Sequence, residues 1–156
     1  MSSIRFIAMP TATVRALQGG RPDANGQTPE QAISDGDGVP CRHCLRQVEA
    51  GAPYLILAHR PFTTLQPYAE CGPIFLHANT CERYAESEQL PPILGSAHYI
   101  LRGYNKQERI IYGTGQIVPT MQIQQQAVVL LARPEVAFIH VRSATNNCFQ
   151  CRIERP

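Results

Sequence analysis

The sequence predicts an α+β fold made mostly of antiparallel sheet, with about six or seven strands and two or three helices. Its 156 residues are 44% hydrophobic and 17% charged, the size and balance of one globular domain. Short apolar runs bounded by glycine and proline recur along the chain, a pattern typical of strands. The runs do not alternate regularly with helical segments, as a parallel doubly wound sheet would require. We therefore predict a single domain over residues 1–156.

The first forty residues predict a strand, a helix and a long loop. Residues 3–9 form an apolar run, and the helical pattern over 11–18 ends at Gly19-Gly20. Residues 19–38 are rich in Gly, Pro, Asp and Gln and contain no aromatic residue, so we expect mainly loop there. Within this loop, the stretch 28–31 matches a capping box with proline at the first helical position and predicts one helical turn.

Two buried strands and a helix are predicted in the middle of the chain. Residues 54–60 and 72–78 are short apolar runs between prolines and glycines, which is typical of buried strands. Asn79 with Glu82 three residues later is a second capping pattern. It predicts a helix that ends before Pro91, because proline cannot continue a helix.

The C-terminal part predicts a hairpin, a helix and two further strands. Residues 97–104 and 110–118 are strand-like, and the polar segment between them indicates a hairpin. Thr120 is a good first residue for a helix whose apolar positions recur at helical spacing until Pro134 stops it. Residues 136–141 and 147–153 are the last two predicted strands.

The charge distribution argues against a nucleic-acid surface. Fourteen basic residues, 13 of them arginine, and 12 acidic residues are spread along the chain without a run of like charge. Phosphate binding requires basic residues gathered on one face. We therefore expect no nucleic-acid partner.

The apolar segments argue against export and membrane insertion. The N-terminal apolar patch ends at Pro10 and is shorter than the core of a secretion signal. The longest later apolar stretch, 127–132, is far below the ~18 residues that span a bilayer. We expect a cytoplasmic location, where the six cysteines are thiols, metal ligands or catalytic groups rather than disulfides.

Two CxxC units are the most informative motifs, and they predict a cysteine cluster. Cys41 and Cys44 form the first, and Cys148 and Cys151 form the second. Such pairs suit tetrahedral zinc. The first hypothesis is therefore a structural or binding domain in which Cys41 and Cys148, with or without Cys44 and Cys151 in one four-cysteine site, lie close together and hold zinc. If residues 147–153 form a regular strand, however, Cys148 and Cys151 point to opposite faces and cannot share an ion. Ordinary reduced thiols therefore remain an alternative, as does redox exchange.

The alternative function is a cysteine-dependent enzyme that acts on a small anionic substrate. Strand alternation over 98–104 and 138–142 predicts faces that carry imidazole and guanidinium groups, which would serve nucleophilic attack if they adjoin a thiol. A solvent-facing side of the sheet would explain the same residues. The candidate nucleophiles are Cys148 and Cys41, the candidate bases are His140 and His43, and the candidate anion-binding residues are Arg102 and Arg142.

A weaker set lies between the two CxxC units. Cys71, His77 and Cys81 could also ligate a metal. Their spacing carries little information, and partly buried free cysteines with a hydrogen-bonded histidine explain it more readily.

Several motifs together resemble one known family. They are Gly38-Val39-Pro40-Cys41-Arg42-His43-Cys44-Leu45, Gly72-Pro73-Ile74-Phe75, Leu101-Arg102-Gly103-Tyr104, His140-Val141-Arg142 and Asn147-Cys148-Phe149-Gln150-Cys151-Arg152-Ile153. In this order the chain resembles the bacterial family known as domain of unknown function 1203. The resemblance implies a small cytoplasmic bacterial protein and brings no established activity. It also implies that the second cysteine of each CxxC unit belongs to a subgroup only. The residues that coincide with family motifs are Cys41, Arg42, Arg102, Arg142 and Cys148, so Arg42 joins the candidate substrate-binding arginines.

Overall fold

A computed structural model describes residues 3–156, and within this range the chain forms eight strands and two α-helices. The strands are β1 (Arg5–Ile7), β2 (Glu30–Ile33), β3 (Pro53–His59), β4 (Gly72–His77), β5 (His98–Tyr104), β6 (Gln116–Pro119), β7 (Phe138–Ser143) and β8 (Phe149–Glu154). The helices are α1 (Thr11–Gln18) and α2 (Ile123–Leu131), and a 3-10 turn (Thr120–Gln122) precedes α2. The predicted mixture of two helices with mostly antiparallel sheet is confirmed, although the strands number eight and form two sheets.

The chain folds into two compact units. Unit 1 contains the described residues up to Ile7, Pro61–Glu70 and Ala85–Pro156, and unit 2 contains Ala8–Arg60 and Cys71–Tyr84. The five-stranded sheet lies in unit 1 and the three-stranded sheet in unit 2. The expectation of a single domain over residues 1–156 stays a prediction.

Unit 1 is built on an antiparallel sheet in the order β1-β8-β7-β5-β6. The registers Leu101↔Val141 and Val141↔Cys151 align buried apolar side chains across the three central strands. Helix α2 contributes further buried residues, Ile123 and Ala127 among them, at helical spacing. The predicted hairpin is confirmed, because β5 pairs with β6 in antiparallel register.

A buried carboxylate fixes the irregular segment Pro61–Glu70 of unit 1. Glu108, which has a φ of 63°, accepts hydrogen bonds from the backbone N–H of Thr63 at 2.9 Å and of Thr64 at 3.2 Å. The Thr63 hydroxyl donates to the same carboxylate at 2.9 Å. Several donors on one buried carboxylate hold this part of the segment firmly in place.

Unit 2 combines α1 with an antiparallel sheet in the order β2-β3-β4. Helix α1 follows Pro10 and ends at Gly19, and its bounds agree with the predicted helix over 11–18. The unit has its own apolar core. The buried members of this core are Met9, Val14, Leu17, Val39, Cys41, Cys44, Val48, Leu55, Leu57, Ile74 and Leu76.

The helical turn predicted at residues 28–31 is wrong. Residues Glu30–Ile33 form β2, which pairs with β3 through the register Gln31↔Leu55. The backbone hydrogen bonds of this pairing take the place of those that a capped helical turn would have made.

The helix predicted to begin at Asn79 is also wrong, since residues 78–96 contain no helix. Side chains of α1 bind the carbonyl oxygens that such a helix would have used. Gln18 Nε2 donates to His77 O and to Asn79 O, both at 2.9 Å, and Arg15 Nη2 donates to Cys81 O at 2.9 Å. The segment is therefore held in an extended course across α1.

Neither helix in the described range has the length and the apolar character that crossing a lipid bilayer requires.

The close approach of β5 to Thr114 generates a stability prediction. A Cβ atom at Gly103 would lie 3.1 Å from Thr114 Oγ1, and that hydroxyl accepts the Gly103 N–H at 2.9 Å. We expect Gly103→Ala to lower the free energy of unfolding by about 1–3 kcal/mol, because Thr114 would have to move. Urea unfolding measures this. Gly115→Ala, where a Cβ would meet nothing within 4 Å, is the matched control, and equal losses in both variants would contradict the packing argument.

Candidate metal centre

The first CxxC unit forms a tight turn. Pro40 and Gln47 form an antiparallel bridge, and inside it Leu45 N donates to Cys41 O at 2.9 Å. Leu45 has a φ of 54°, in the left-handed region, and its side chain is fully buried. This reversal lets Cys41 and Cys44 direct their sulfurs to the same side of the turn, since the chain folds back directly after the second cysteine.

Strand β4 brings the third residue to this turn. Cys41 forms a parallel bridge with Phe75, and Arg42 N donates to Phe75 O at 3.1 Å. Two residues beyond Phe75, the His77 N–H points to Cys41 Sγ at 3.3 Å. The register of this pairing therefore places His77, the last residue of β4, beside the turn.

Cys81 completes the group, which we call the Cys3His cluster: Cys41, Cys44, His77 and Cys81. Each residue offers one ligand atom, and the four atoms all lie within 4.8 Å of one another. The two cysteines of the turn and His77 are buried, whereas Cys81 is partly exposed.

The distances in the Cys3His cluster match those of a tetrahedral zinc site. Zn–S bonds of about 2.3 Å and Zn–N bonds of about 2.0 Å place neighbouring sulfurs about 3.8 Å apart and a sulfur–nitrogen pair about 3.5 Å apart. Cys41 Sγ and Cys81 Sγ are 3.9 Å apart, and Cys44 Sγ lies 3.5 Å from His77 Nδ1. The residues present therefore fit a zinc ion.

Each imidazole near the cluster is oriented by a second partner. His77 turns Nδ1 toward the cluster, while Nε2 lies 3.0 Å from Glu49 Oε2. A proton on Nε2 would leave Nδ1 available as a ligand, the arrangement common at zinc-bound histidines. His43 is not a member of the cluster, but its Nδ1 lies 3.1 Å from Cys81 Sγ and its Nε2 lies 2.8 Å from Thr11 Oγ1. A proton on Nδ1 of His43 satisfies both contacts, with Nε2 accepting from the hydroxyl.

The three thiols perturb one another strongly when no cation is bound. Hydrogen bonds from Cys44 and Cys81 hold the pKa of Cys41 far below its usual range. The hydrogen bond with Cys41 is the largest influence that raises the pKa of Cys44 to about 11 and the pKa of Cys81 well above its usual range. One thiolate thus prevents the other two from ionising, because like charges at this distance repel.

The two imidazoles and the carboxylate near the cluster also have shifted pKa values. Burial lowers the pKa of His43. Burial also opposes the charge of His77, but hydrogen bonds to Glu49 and Cys41 outweigh it and raise the pKa of His77. The hydrogen bond with His77 is the largest influence that lowers the pKa of Glu49. His77 and Glu49 therefore favour charge on each other.

The structure distributes the predicted cysteine ligands over both units. Cys41 and Cys44 join His77 and Cys81 in unit 2, whereas Cys148 and Cys151 belong to unit 1. Cys151 is buried in β8 opposite Val141. Cys148 is partly exposed directly before β8, where its N–H donates to Ser143 Oγ at 2.9 Å. The four-cysteine site stays a prediction, and the group of candidate ligands Cys41, Cys44, His77 and Cys81 lies in unit 2.

The other predicted site residues divide in the same way. Arg42 lies in unit 2, where its Nη1 donates to Pro40 O at 2.7 Å and its guanidinium carbon is 6.0 Å from the Phe75 ring centre. Arg102, His140 and Arg142 lie in unit 1 on β5 and β7, with Arg102 directly opposite His140. Arg42 thus contacts the CxxC turn and β4, whereas the other three residues lie in the five-stranded sheet of unit 1.

The weaker sequence set contained two of the four cluster members. His77 and Cys81 lie in the Cys3His cluster, while Cys71 is exposed, with its Sγ 3.8 Å from Asn25 Oδ1. A signal that could have found the cluster is the combination of Cys-x2-Cys with His-x3-Cys, since paired ligands at short spacings are typical of structural zinc sites.

Comparison with protein families gives one match. The family described as protein of unknown function (DUF1203) matches residues 38–155. This range includes all four members of the Cys3His cluster. No curated protein and no solved structure matches the chain.

Proposed function

The chain belongs to the DUF1203 family, whose description assigns no activity, and from that premise we propose that its Cys3His cluster binds one zinc ion that stabilises unit 2. One observation carries the proposal: three sulfurs and an imidazole nitrogen converge within 4.8 Å, at separations that suit tetrahedral coordination. Buried thiols rarely converge in this way for packing alone, because apolar side chains fill such space at lower electrostatic cost.

The donor set supports zinc over other cations. Thiolate sulfur and imidazole nitrogen suit zinc, whereas calcium and magnesium require oxygen donors. The cluster itself contains no carboxylate, and Glu49 contacts His77 rather than the sulfurs. Iron–sulfur clusters usually need four cysteines, and here the fourth donor is a histidine.

The surroundings of the sulfurs support their ionisation around a cation. Three thiolates and a neutral histidine with Zn²⁺ leave one net negative charge. The His77 N–H is directed at Cys41 Sγ at 3.3 Å, and His43 Nδ1 lies 3.1 Å from Cys81 Sγ, where it donates in the tautomer that carries the proton on Nδ1. Such donors stabilise thiolates, so the remaining charge would be partly compensated.

The arrangement supports a structural role for the ion. Four protein ligands leave no open coordination position, and an open position is the mark of catalytic zinc. The ligands come from three segments, namely the CxxC turn, the end of β4 and the extended stretch that contains Cys81. A bound ion would cross-link these segments, so its binding free energy would add to the stability of unit 2.

A second candidate function is thiol chemistry at Cys81. This cysteine is the one cluster member that is partly exposed rather than buried, and its sulfur lies 3.1 Å from His43 Nδ1. A thiol beside an imidazole is the arrangement of an activated nucleophile. In this alternative the protein would be metal-free, and His43 would have to accept the Cys81 proton during attack, because the neighbouring Cys41 raises the pKa of the Cys81 thiol. The earlier hypothesis of Cys148 as nucleophile with His140 as base stays a prediction.

The first test is the metal content of the purified protein. We expect about one zinc per chain by elemental analysis, because four protein ligands close one coordination shell. Cys81→Ser should reduce the zinc content to near zero. Cys71→Ser and Cys148→Ser are matched controls from outside the cluster and should keep the metal. Metal-free wild-type protein with a rapidly alkylated Cys81 would overturn the zinc proposal in favour of thiol chemistry.

The second test locates the stabilisation. Removal of zinc with a chelator should speed amide hydrogen exchange in residues 38–48 and 72–84, because the ion would cross-link these segments. Exchange in β5 and β7 of unit 1 serves as the internal reference and should change little. Hydrogen exchange measured by mass spectrometry, before and after chelation, checks both. Unchanged exchange around the cluster would show that a bound metal has no structural role.

The third test concerns Glu49, which would orient His77. We expect Glu49→Gln to weaken zinc binding about tenfold, since loss of a carboxylate that holds a ligating histidine typically has at least this effect. Competition with a zinc-binding dye measures the affinity. Glu82→Gln removes the same charge next to Cys81 without removing the His77 contact and should change the affinity less. Equal effects of the two variants would assign the loss to net charge alone.

A further inference from the structure

A second polar site lies in unit 1 and consists of two arginines and an asparagine around a carboxylate. Arg102 on β5 and Arg142 on β7 are diagonal neighbours, because Arg102 pairs with His140 and Arg142 is two residues further along β7. Asn147 lies in the turn before β8. We call Arg102, Arg142 and Asn147 the arginine site.

The carboxylate in the arginine site comes from Glu70 of the same chain. Arg102 Nη2 donates to Glu70 Oε1 at 2.7 Å, and Asn147 Nδ2 donates to Oε2 at 3.0 Å. Arg142 Nη1 lies 4.0 Å from Oε2, within ion-pair distance but too far for a hydrogen bond. The site therefore binds both oxygens of one carboxylate and still leaves Arg142 incompletely paired.

The two guanidinium groups of the arginine site are held in place without help from Glu70. Arg102 Nε donates to the Tyr104 hydroxyl at 2.9 Å. Arg142 Nη1 donates to Asn147 O at 3.1 Å, and Arg142 Nη2 donates to His140 Nδ1 at 3.0 Å. Because these contacts do not involve the carboxylate, the site would keep its shape when the carboxylate leaves.

The arginine site carries more positive than negative charge. Two guanidinium groups face one carboxylate, and the Arg142 side chain is only 4% exposed. Burial lowers the pKa of Arg142, since desolvation disfavours its charge. Arg142 Nε is also buried without a hydrogen-bond partner among the described residues. A second negative charge close to Arg142 would therefore be favourable.

Glu70 is the replaceable member of this group. Its side chain is 38% exposed, compared with 17% for Arg102, so solvent reaches the site from the side of the carboxylate. Glu70 is the last residue of Pro61–Glu70, and Glu108 holds the other end of this segment through Thr63. A shift of Glu70 would thus leave the segment attached to unit 1.

We propose that Arg102, Arg142 and Asn147 form a binding site for a small dicarboxylate, which Glu70 occupies until the ligand replaces it. One ligand carboxylate would take the place of the Glu70 carboxylate between Arg102 and Asn147. The second would compensate the excess charge at Arg142, so that two negative charges meet two guanidinium groups. This site is independent of the zinc proposal, because it uses other residues in the other unit.

Calorimetric titration with succinate tests the proposal. Wild-type protein should bind succinate, and Glu70→Ala should bind it about tenfold more tightly, as expected if Glu70 leaves the wild-type site open about one tenth of the time. Glu86→Ala, which removes an exposed carboxylate from the same unit, is the matched control and should bind like the wild type. Adding Arg102→Ala to Glu70→Ala should abolish binding. If Glu70→Ala does not fold, Glu70→Gln takes its place, because it removes the charge and keeps the shape.

Three results would overturn the proposal. In the first, the Glu70 variant binds succinate no more tightly than the wild type does. In the second, succinate still binds after the loss of Arg102. In the third, inorganic phosphate binds as tightly as succinate. The last would assign the site to anions in general. Zinc content, measured on the same samples, should be equal in all variants, which separates this test from that of the Cys3His cluster.

Discussion

The pairing of the CxxC turn with β4 is the interaction on which the Cys3His cluster depends. Arg42 N donates to Phe75 O at 3.1 Å, and this contact fixes which residue of β4 lies beside Cys41. Side chains alternate along a strand, so a slip by one residue would turn His77 away from the sulfurs. It would also expose Leu76, which is fully buried. The apolar core of unit 2 thus stabilises the register between the CxxC turn and β4 that brings His77 to the cysteines.

The parts of the fold that could be predicted from the sequence are those with local signals. Helix α1 starts after Pro10 and ends before Gly19, and both residues lie directly beside the helix. The two wrong helix predictions rested on capping patterns, which are equally local. The conformation of those segments instead depends on contacts with residues far away in the sequence. Residues 30–33 pair with β3, and side chains of α1 bind the carbonyl groups of residues 77–81. Pairing over long distances in the chain is not visible in a short window of sequence.

The site could be predicted only in part, for the same physical reason. Cys41 and Cys44 were identifiable as ligands because both sulfurs of a CxxC unit belong to one turn. Their partners depend on which strand lies next to that turn, and the sequence offered a second CxxC as an equally good partner. The sequence favoured a hydrogen-bonded histidine over a metal ligand at His77, and in the structure this residue is buried with its Nδ1 3.5 Å from Cys44 Sγ. Burial and ligation were not alternatives at this position.

The two polar sites differ in how their charge is balanced, and this difference separates their roles. The arginine site has a carboxylate from its own chain, so unit 1 can fold before any external anion arrives, and a ligand there would exchange with Glu70. The Cys3His cluster has no arginine or lysine among its members, and one thiolate raises the pKa of the other two thiols. Only a cation from outside allows all three to ionise together. A ligand of unit 1 would therefore be exchangeable, whereas a metal in unit 2 would be part of the folded state.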